Sequence, residues 1–165
     1  MVIFEKSERK TIMKVINSFT GDFAFLSNFF KDASFIDDNG IKWKTSEHFY
    51  QAMKTMDLVE RRKIEESITP GIAKRLGSKV DLRTDWDDIK YDVMINALGM
   101  KFDQNEKYRN LLIQTDGYKL VEGNNWHDNE WGDCFCDKCK NIKGKNMLGK
   151  LLMELRDYYI EEKEE

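Results

Sequence analysis

From Thr45 onward the apolar residues return at helical spacing, and this periodicity restricts the fold more than any other feature of the chain. It is strongest near the C-terminus, where Leu148, Leu151, Leu152, Leu155 and Tyr159 fall on one stripe. A helix carrying such a stripe must bury it against a partner. The chain supplies several candidates: Thr45-Ser46 reads as the N-cap of a helix running to about Glu66, and Thr69-Pro70 opens a short helix that Gly77 ends. Asp85 can cap another through Trp86, Ile89, Val93 and Ala97, and one more covers about Glu106 to Gln114.

Strand signals are fewer. Thr11 to Ile16 favours a strand, Tyr118 to Val121 suits another, and Ser34 to Ile36 faces Ile41 to Trp43 across D-D-N-G, whose Asn39-Gly40 signals a hairpin. The expected fold class is mainly α with a small antiparallel β-sheet near the N-terminus. One proline and no Ser/Pro- or Gly/Ser-rich run leave no linker, and 41% hydrophobic content in 165 residues builds one sizeable core. Residues 1–165 therefore read as a single domain, its core over about 15–158, with E-E-K-E-E as a frayed end.

A net charge of -3 from 27 basic and 30 acidic residues gives no global field toward nucleic acid, so any such contact must be local. No stretch approaches about 18 consecutive apolar residues, so no membrane partner is expected. The start, M-V-I-F-E-K-S-E-R-K, lacks the apolar run of a secretory signal, and the protein reads as cytoplasmic.

Two stretches carry possible chemistry. In T-S-E-H-F-Y-Q-A-M-K (45–54), Glu47, Tyr50, Gln51 and Lys54 share a helix face, either a solvated surface or the floor of a site. Glu47 lies in the first turn, where the helix dipole favours an ionised carboxylate, suiting a base, nucleophile or cation stabiliser. In N-N-W-H-D-N-E-W-G-D (124–133), indoles beside a carboxylate suit a flat heterocycle, although such a loop can equally plug the core edge with Asp128 capping a turn. It lies within Glu122 to Gly144, a long stretch of little apolar periodicity, the kind of loop that often carries function.

Two further motifs are weaker. G-K-N-M-L-G-K-L (144–151) imitates a phosphate-binding loop, but Leu151 stands where magnesium needs Ser or Thr, leaving at most a phosphate at the helix N-terminus near Asn146. The three cysteines, Cys134, Cys136 and Cys139, are too close together for a disulfide framework; with His127 they could bind zinc, but a second C-x2-C pair is missing. Neither a metal nor a cofactor is expected.

Taken together, F-A-F-L-S-N-F-F (23–30), T-S-E-H-F-Y-Q-A-M-K (45–54), R-T-D-W (83–86), M-K-F (100–102), W-H-D-N-E-W-G (126–132) and G-K-N-M-L-G-K-L-L-M-E-L-R (144–156) resemble the NADAR family from about Phe19 to Arg156. The resemblance implies a mainly α-helical N-glycosidase domain. Its expected ligand is a small phosphorylated ribosylamine, a ribosylamino-pyrimidine phosphate of riboflavin synthesis, or alternatively ADP-ribose on guanine in nucleic acid. It carries over Glu47, Trp86, Asp128 and Trp131 as site positions; on these the expected mechanism makes Glu47 and Asp128 catalytic, with Trp86 and Trp131 sandwiching the heterocycle. Asn28, Tyr50, Lys54, Arg75 and Asn146 complete the expected substrate contacts, Arg75 for a 5′-phosphate and Lys54 also for a Schiff base. Where many members are glycine-rich after W-G, this chain has C-F-C-D-K-C, which bears on the pocket edge. A reading of another class is a zinc-stabilised module meeting nucleic acid through Lys138 to Lys150.

Overall fold

The structure is a computed structural model that describes residues 13–164. Thr11, Ile12, Glu165 and the N-terminal residues read for a secretory signal lie outside the described residues. The chain runs β1 (Lys14–Ile16), a 3-10 helix (Gly21–Leu26), β2 (Phe35–Ile36), β3 (Lys42–Trp43), α1 (Ser46–Ala52), α2 (Leu58–Glu66) and α3 (Pro70–Gly77). It continues through α4 (Trp86–Asp103), α5 (Glu106–Ile113), β4 (Tyr118–Leu120), β5 (Gly123–Asn124), β6 (Asp133–Cys134) and α6 (Met147–Glu164). The mainly α class holds, and the charged C-terminal residues through Glu164 continue α6.

The helix expected from Ser46 to about Glu66 is two helices. The apolar periodicity runs across an internal cap: Asp57 accepts from Val59 N (2.8 Å) and Glu60 N (3.1 Å) and restarts the helix as α2. Thr69 and Pro70 open α3 as expected, Thr69 Oγ1 accepting from Ile72 N. Asp85 occupies the N-cap position of α4 without a side-chain cap bond, because its carboxylate is held by Arg83 at 2.6 and 2.9 Å.

The β component is dispersed. β2 and β3 form the expected antiparallel hairpin, but β1 does not join them; it pairs in parallel with β4, and β5 pairs in parallel with β6. The hairpin loop is organised by Asp37, whose Oδ1 accepts from Asn39 N and Ile41 N and whose Oδ2 accepts from Trp43 Nε1. Gly40 supplies the left-handed φ of 80° that this closed loop needs.

Two apolar clusters make the core. One joins Ile16, Phe25, Leu26, Tyr50, Trp86, Leu98, Leu120 and Leu152; the other joins Phe35, Trp43, Phe49, Ala52, Ile64 and Ala97. α1 lies between them against α2, α3 and α4, and every residue from Ser46 to Ala52 is buried. The face shared by Glu47, Tyr50 and Gln51 is therefore not a solvated surface.

Candidate active site

The start of α1 is fixed from both sides of its cap. Thr45 Oγ1 accepts from His48 N, and His48 Nδ1 lies 2.8 Å from the same oxygen, while His48 Nε2 reaches Ser67 O at the end of α2 (3.2 Å). Glu47 N donates to Asn28 O at 3.1 Å. Buried Lys101 sets the backbone before Asn28, donating to Phe25 O (2.7 Å) and Ser27 O (3.0 Å). Glu47 is thus anchored by a buried scaffold rather than by α1 alone.

Its carboxylate accepts from Gln51 Nε2 at 2.7 Å. Gln51 is itself pressed against α3, where a Cβ on Gly77 would stand 2.1 Å from Gln51 Oε1. Among the described residues, the buried side-chain atoms without a hydrogen-bond partner are Asn28 Oδ1, Ser46 Oγ and Gln51 Oε1, all on residues next to or bonded to Glu47. Such atoms are rare in folded interiors, which makes the surroundings of Glu47 the candidate polar site.

Helix-dipole reasoning expects a carboxyl held below its ordinary value at Glu47; here burial acts in the other direction. Burial pushes its carboxyl up, and nearby Asp128 adds to the rise; the Gln51 amide and the Lys74 and Lys54 ammonium groups oppose it. Glu122 joins the group from the residue before β5: burial, with Asp128 and Glu47, pushes it up to about 8. Burial lowers Lys54, Glu47 counteracting and Lys74 reinforcing. Three carboxylates and two ammonium groups therefore share one electrostatic neighbourhood.

The loop contributes Asp128 and Trp131. Asn124, buried, accepts from Asp128 N (3.1 Å) and donates to Asp128 O (2.7 Å), while Asp128 Oδ1 accepts from Glu130 N (3.1 Å) and Trp131 N (2.9 Å). Asp128 caps a turn, as one sequence reading of this loop expects, and its charge also acts on Glu47 and Glu122.

The indoles do not form an open sandwich. The Tyr50 ring sits between them, 5.0 Å from Trp86 and 5.2 Å from Trp131, and Trp86 is buried. Trp131 is the partly exposed member and also meets Tyr91 edge-on at 5.6 Å. Burial raises the Tyr50 hydroxyl, which stays protonated.

The remaining expected contacts divide. Asn28 and Lys54 belong to the group. Arg75 and its neighbour Lys74 are both exposed on α3; it is the charge of Lys74, missed in the sequence, that reaches Glu47 and Glu122. One residue is about 100° of helix rotation, which a basic pair in sequence does not resolve. Asn146, with φ 52°, spends its amide on the backbone, accepting from Glu122 N (3.0 Å) and donating to Leu120 O (2.8 Å). It positions Glu122, which sequence reasoning also missed; the one signal was an acid at the end of a strand before a glycine loop.

A cavity of about 580 Å³ lies elsewhere, lined by Trp43, Phe49, Met53, Arg61, Arg62 and Met100 among others, and none of the expected site residues borders it. It lacks the coupled acids and lysines that favour the α1 site for chemistry. His127, Cys134, Cys136 and Cys139 converge separately, their ligand atoms all within 4.8 Å of one another.

The chain matches the model of the NADAR domain over residues 16–159. N-glycosidase YbiA of Shigella flexneri is 40% identical over 148 residues, 88% of each chain. The NMR structure of the Escherichia coli protein YbiA superposes with a TM-score of 0.76 at 38% identity, covering 94% of this chain and 93% of that one. A maize protein, riboflavin biosynthesis protein PYRR, is 37% identical over 134 residues, 73% of this chain and 20% of its own length.

Proposed function

The chain belongs to the NADAR domain family, and from that premise we propose that it is an N-glycosidase hydrolysing the ribose C1′–N bond of ribosylamino-pyrimidine phosphates, releasing ribose 5-phosphate. The observation that carries this reading is buried Glu47, coupled to Lys54, Lys74 and Asp128 beside Glu122, which holds its proton up to about pH 8.

Breaking the C1′–N bond sends its electron pair to nitrogen and leaves positive character on C1′ and the ring oxygen. Two ammonium groups and the Gln51 amide favour the Glu47 anion, whereas Glu122 has only Lys74 against two neighbouring acids. Glu47 is accordingly the member that stabilises the cation and takes a proton from the attacking water; Glu122 gives its proton to the departing amine. Asp128 orients the ribose, and the exposed part of Trp131 contacts the heterocycle. Lys74, with Arg75 as the alternative, receives the phosphate. Water and glycosylamine are consumed, and ribose 5-phosphate and free amine are formed.

The test is release of ribose 5-phosphate from the ribosylamino-pyrimidine phosphate by wild type and Glu47→Gln. Turnover is expected to fall about 10²- to 10⁴-fold in the variant with its circular dichroism unchanged. Normal turnover would remove Glu47 from the chemistry, and no release by wild type would redirect the assignment to ADP-ribosylated guanine.

A second route rests on the lowered Lys54 ammonium. A neutral Lys54 adds to C1′ of the ring-opened substrate, expels the amine as a Schiff base forms, and is freed by water. Borohydride during turnover would then trap a covalent adduct; active enzyme without one excludes the route.

A further inference from the structure

We propose that His127, Cys134, Cys136 and Cys139 form a zinc site that holds the loop carrying Asp128 and Trp131. All four ligand atoms lie within 4.8 Å of one another, with His127 Nδ1 3.2 Å from Cys136 Sγ and 3.4 Å from Cys139 Sγ. A tetrahedral zinc with bonds of about 2.3 Å to sulfur and about 2.0 Å to nitrogen sets its ligand atoms roughly 3.5–3.8 Å apart. One ion therefore reaches all four donors through small side-chain adjustments, and three cysteines with one histidine complete a structural donor set.

The backbone is arranged for this convergence. Pairing of β5 with β6 places Cys134, whose N–H is also held by Asn129 Oδ1 at 3.0 Å. Cys139 N donates to Cys136 O (2.9 Å) and Ile142 N to Cys139 O (2.7 Å), folding C-F-C-D-K-C back on itself. His127 adopts a left-handed φ of 68°, a conformation uncommon outside glycine, and this turns its ring to the thiols. All three cysteines are free, and Cys134 and Cys139 are buried.

Binding removes one proton from each thiol to solvent, while the neutral imidazole donates a lone pair. Three thiolates and the ion sum to one negative charge, next to a run that holds Lys138, Lys140 and Lys143. The chain has no second C-x2-C pair. The set is C-x-C-x2-C with a histidine seven residues before it, and the fold brings the two parts within ligand distance. His127 directly precedes Asp128, so the metal acts by positioning that loop.

The test uses the full chain purified under reducing conditions without chelator, its zinc read by elemental mass spectrometry, followed by cobalt added to the metal-free protein. One zinc per chain is expected, with a cobalt adduct showing thiolate charge-transfer and tetrahedral visible bands. Chelator should lower the melting temperature of wild type and leave Cys136→Ser unmoved. His127→Asn, which tolerates the left-handed backbone, provides a second variant expected to lose at least about tenfold in zinc affinity. Reduced wild type that takes up neither metal at equimolar concentration, or variants that bind zinc as wild type does, would overturn the site. So would a native disulfide that, once reduced, still binds no metal. These readouts need no substrate and stand apart from the N-glycosidase assignment.

Discussion

Burial beside Glu47 and Asp128 lifts Glu122 from an ordinary 4.5 to about 8. Between those values the unfolded chain has lost a proton that the folded chain keeps, so this group removes stability as pH rises through the window. The Glu122→Gln variant should therefore gain melting temperature over wild type from pH 5 to 8, the difference levelling above that. Calorimetry on both proteins checks this, and a difference independent of pH would contradict the raised carboxyl. Reading the variant against wild type cancels Lys101, which burial lowers to about 7 and which acts with the opposite sign, adding stability from there up to its unfolded value. In wild type, turnover should fall above about pH 8 as Glu122 loses its proton. At Gly77, a Cβ would meet Gln51 Oε1 at 2.1 Å and Cβ at 2.8 Å, so Gly77→Ala must displace the amide that holds Glu47. About 1–3 kcal/mol of stability and much of kcat/KM should be lost, read by urea titration and steady-state kinetics.

At the scale of elements, the N-terminus of α6 decides where Glu122 points. Asn146 satisfies Glu122 N and Leu120 O from a left-handed backbone. Asn146→Ala should cost about 2–4 kcal/mol, two backbone partners lost and the dihedral disfavoured, whereas Asn146→Gly should recover the dihedral part alone. Chemical denaturation of the three proteins separates the two contributions. Most helices were legible because their caps and apolar stripes are local: Thr69-Pro70 with Gly77, and the Leu148–Tyr159 stripe, needed no knowledge of partners. The break between α1 and α2 was missed because apolar spacing continued across Asp57, and only the cap bonds show the restart.

Over the whole molecule, the two apolar clusters share Met53 and Val93, and neighbouring residues Ala97 and Leu98 of α4 enter one each. Neither cluster can be exposed without withdrawing α4 from the other. Trp43 reports on one and Trp86 on the other, so with Trp126 and Trp131 both replaced by Phe, fluorescence of Trp43→Phe and Trp86→Phe, each then retaining the opposite reporter alone, should show urea transitions coincident with the loss of helical circular dichroism. Separate midpoints within one protein would mean two cooperative units.

Local chemistry in the sequence determined the mainly α class, most helix starts, the hairpin across Asn39-Gly40 and the choice of Glu47 and Asp128, the last two through motifs that resemble a family. Tertiary structure decided what the polar face of α1 meets. The same i, i+3, i+4 spacing serves a solvated helix or a buried one, and packing by α2, α3 and α4 settles the difference. It also brought in Glu122 and Lys74 and joined β1 to β4 across about a hundred residues. Pairings that distant leave no periodic trace, because they depend on where separate elements come to rest rather than on the order of neighbouring residues.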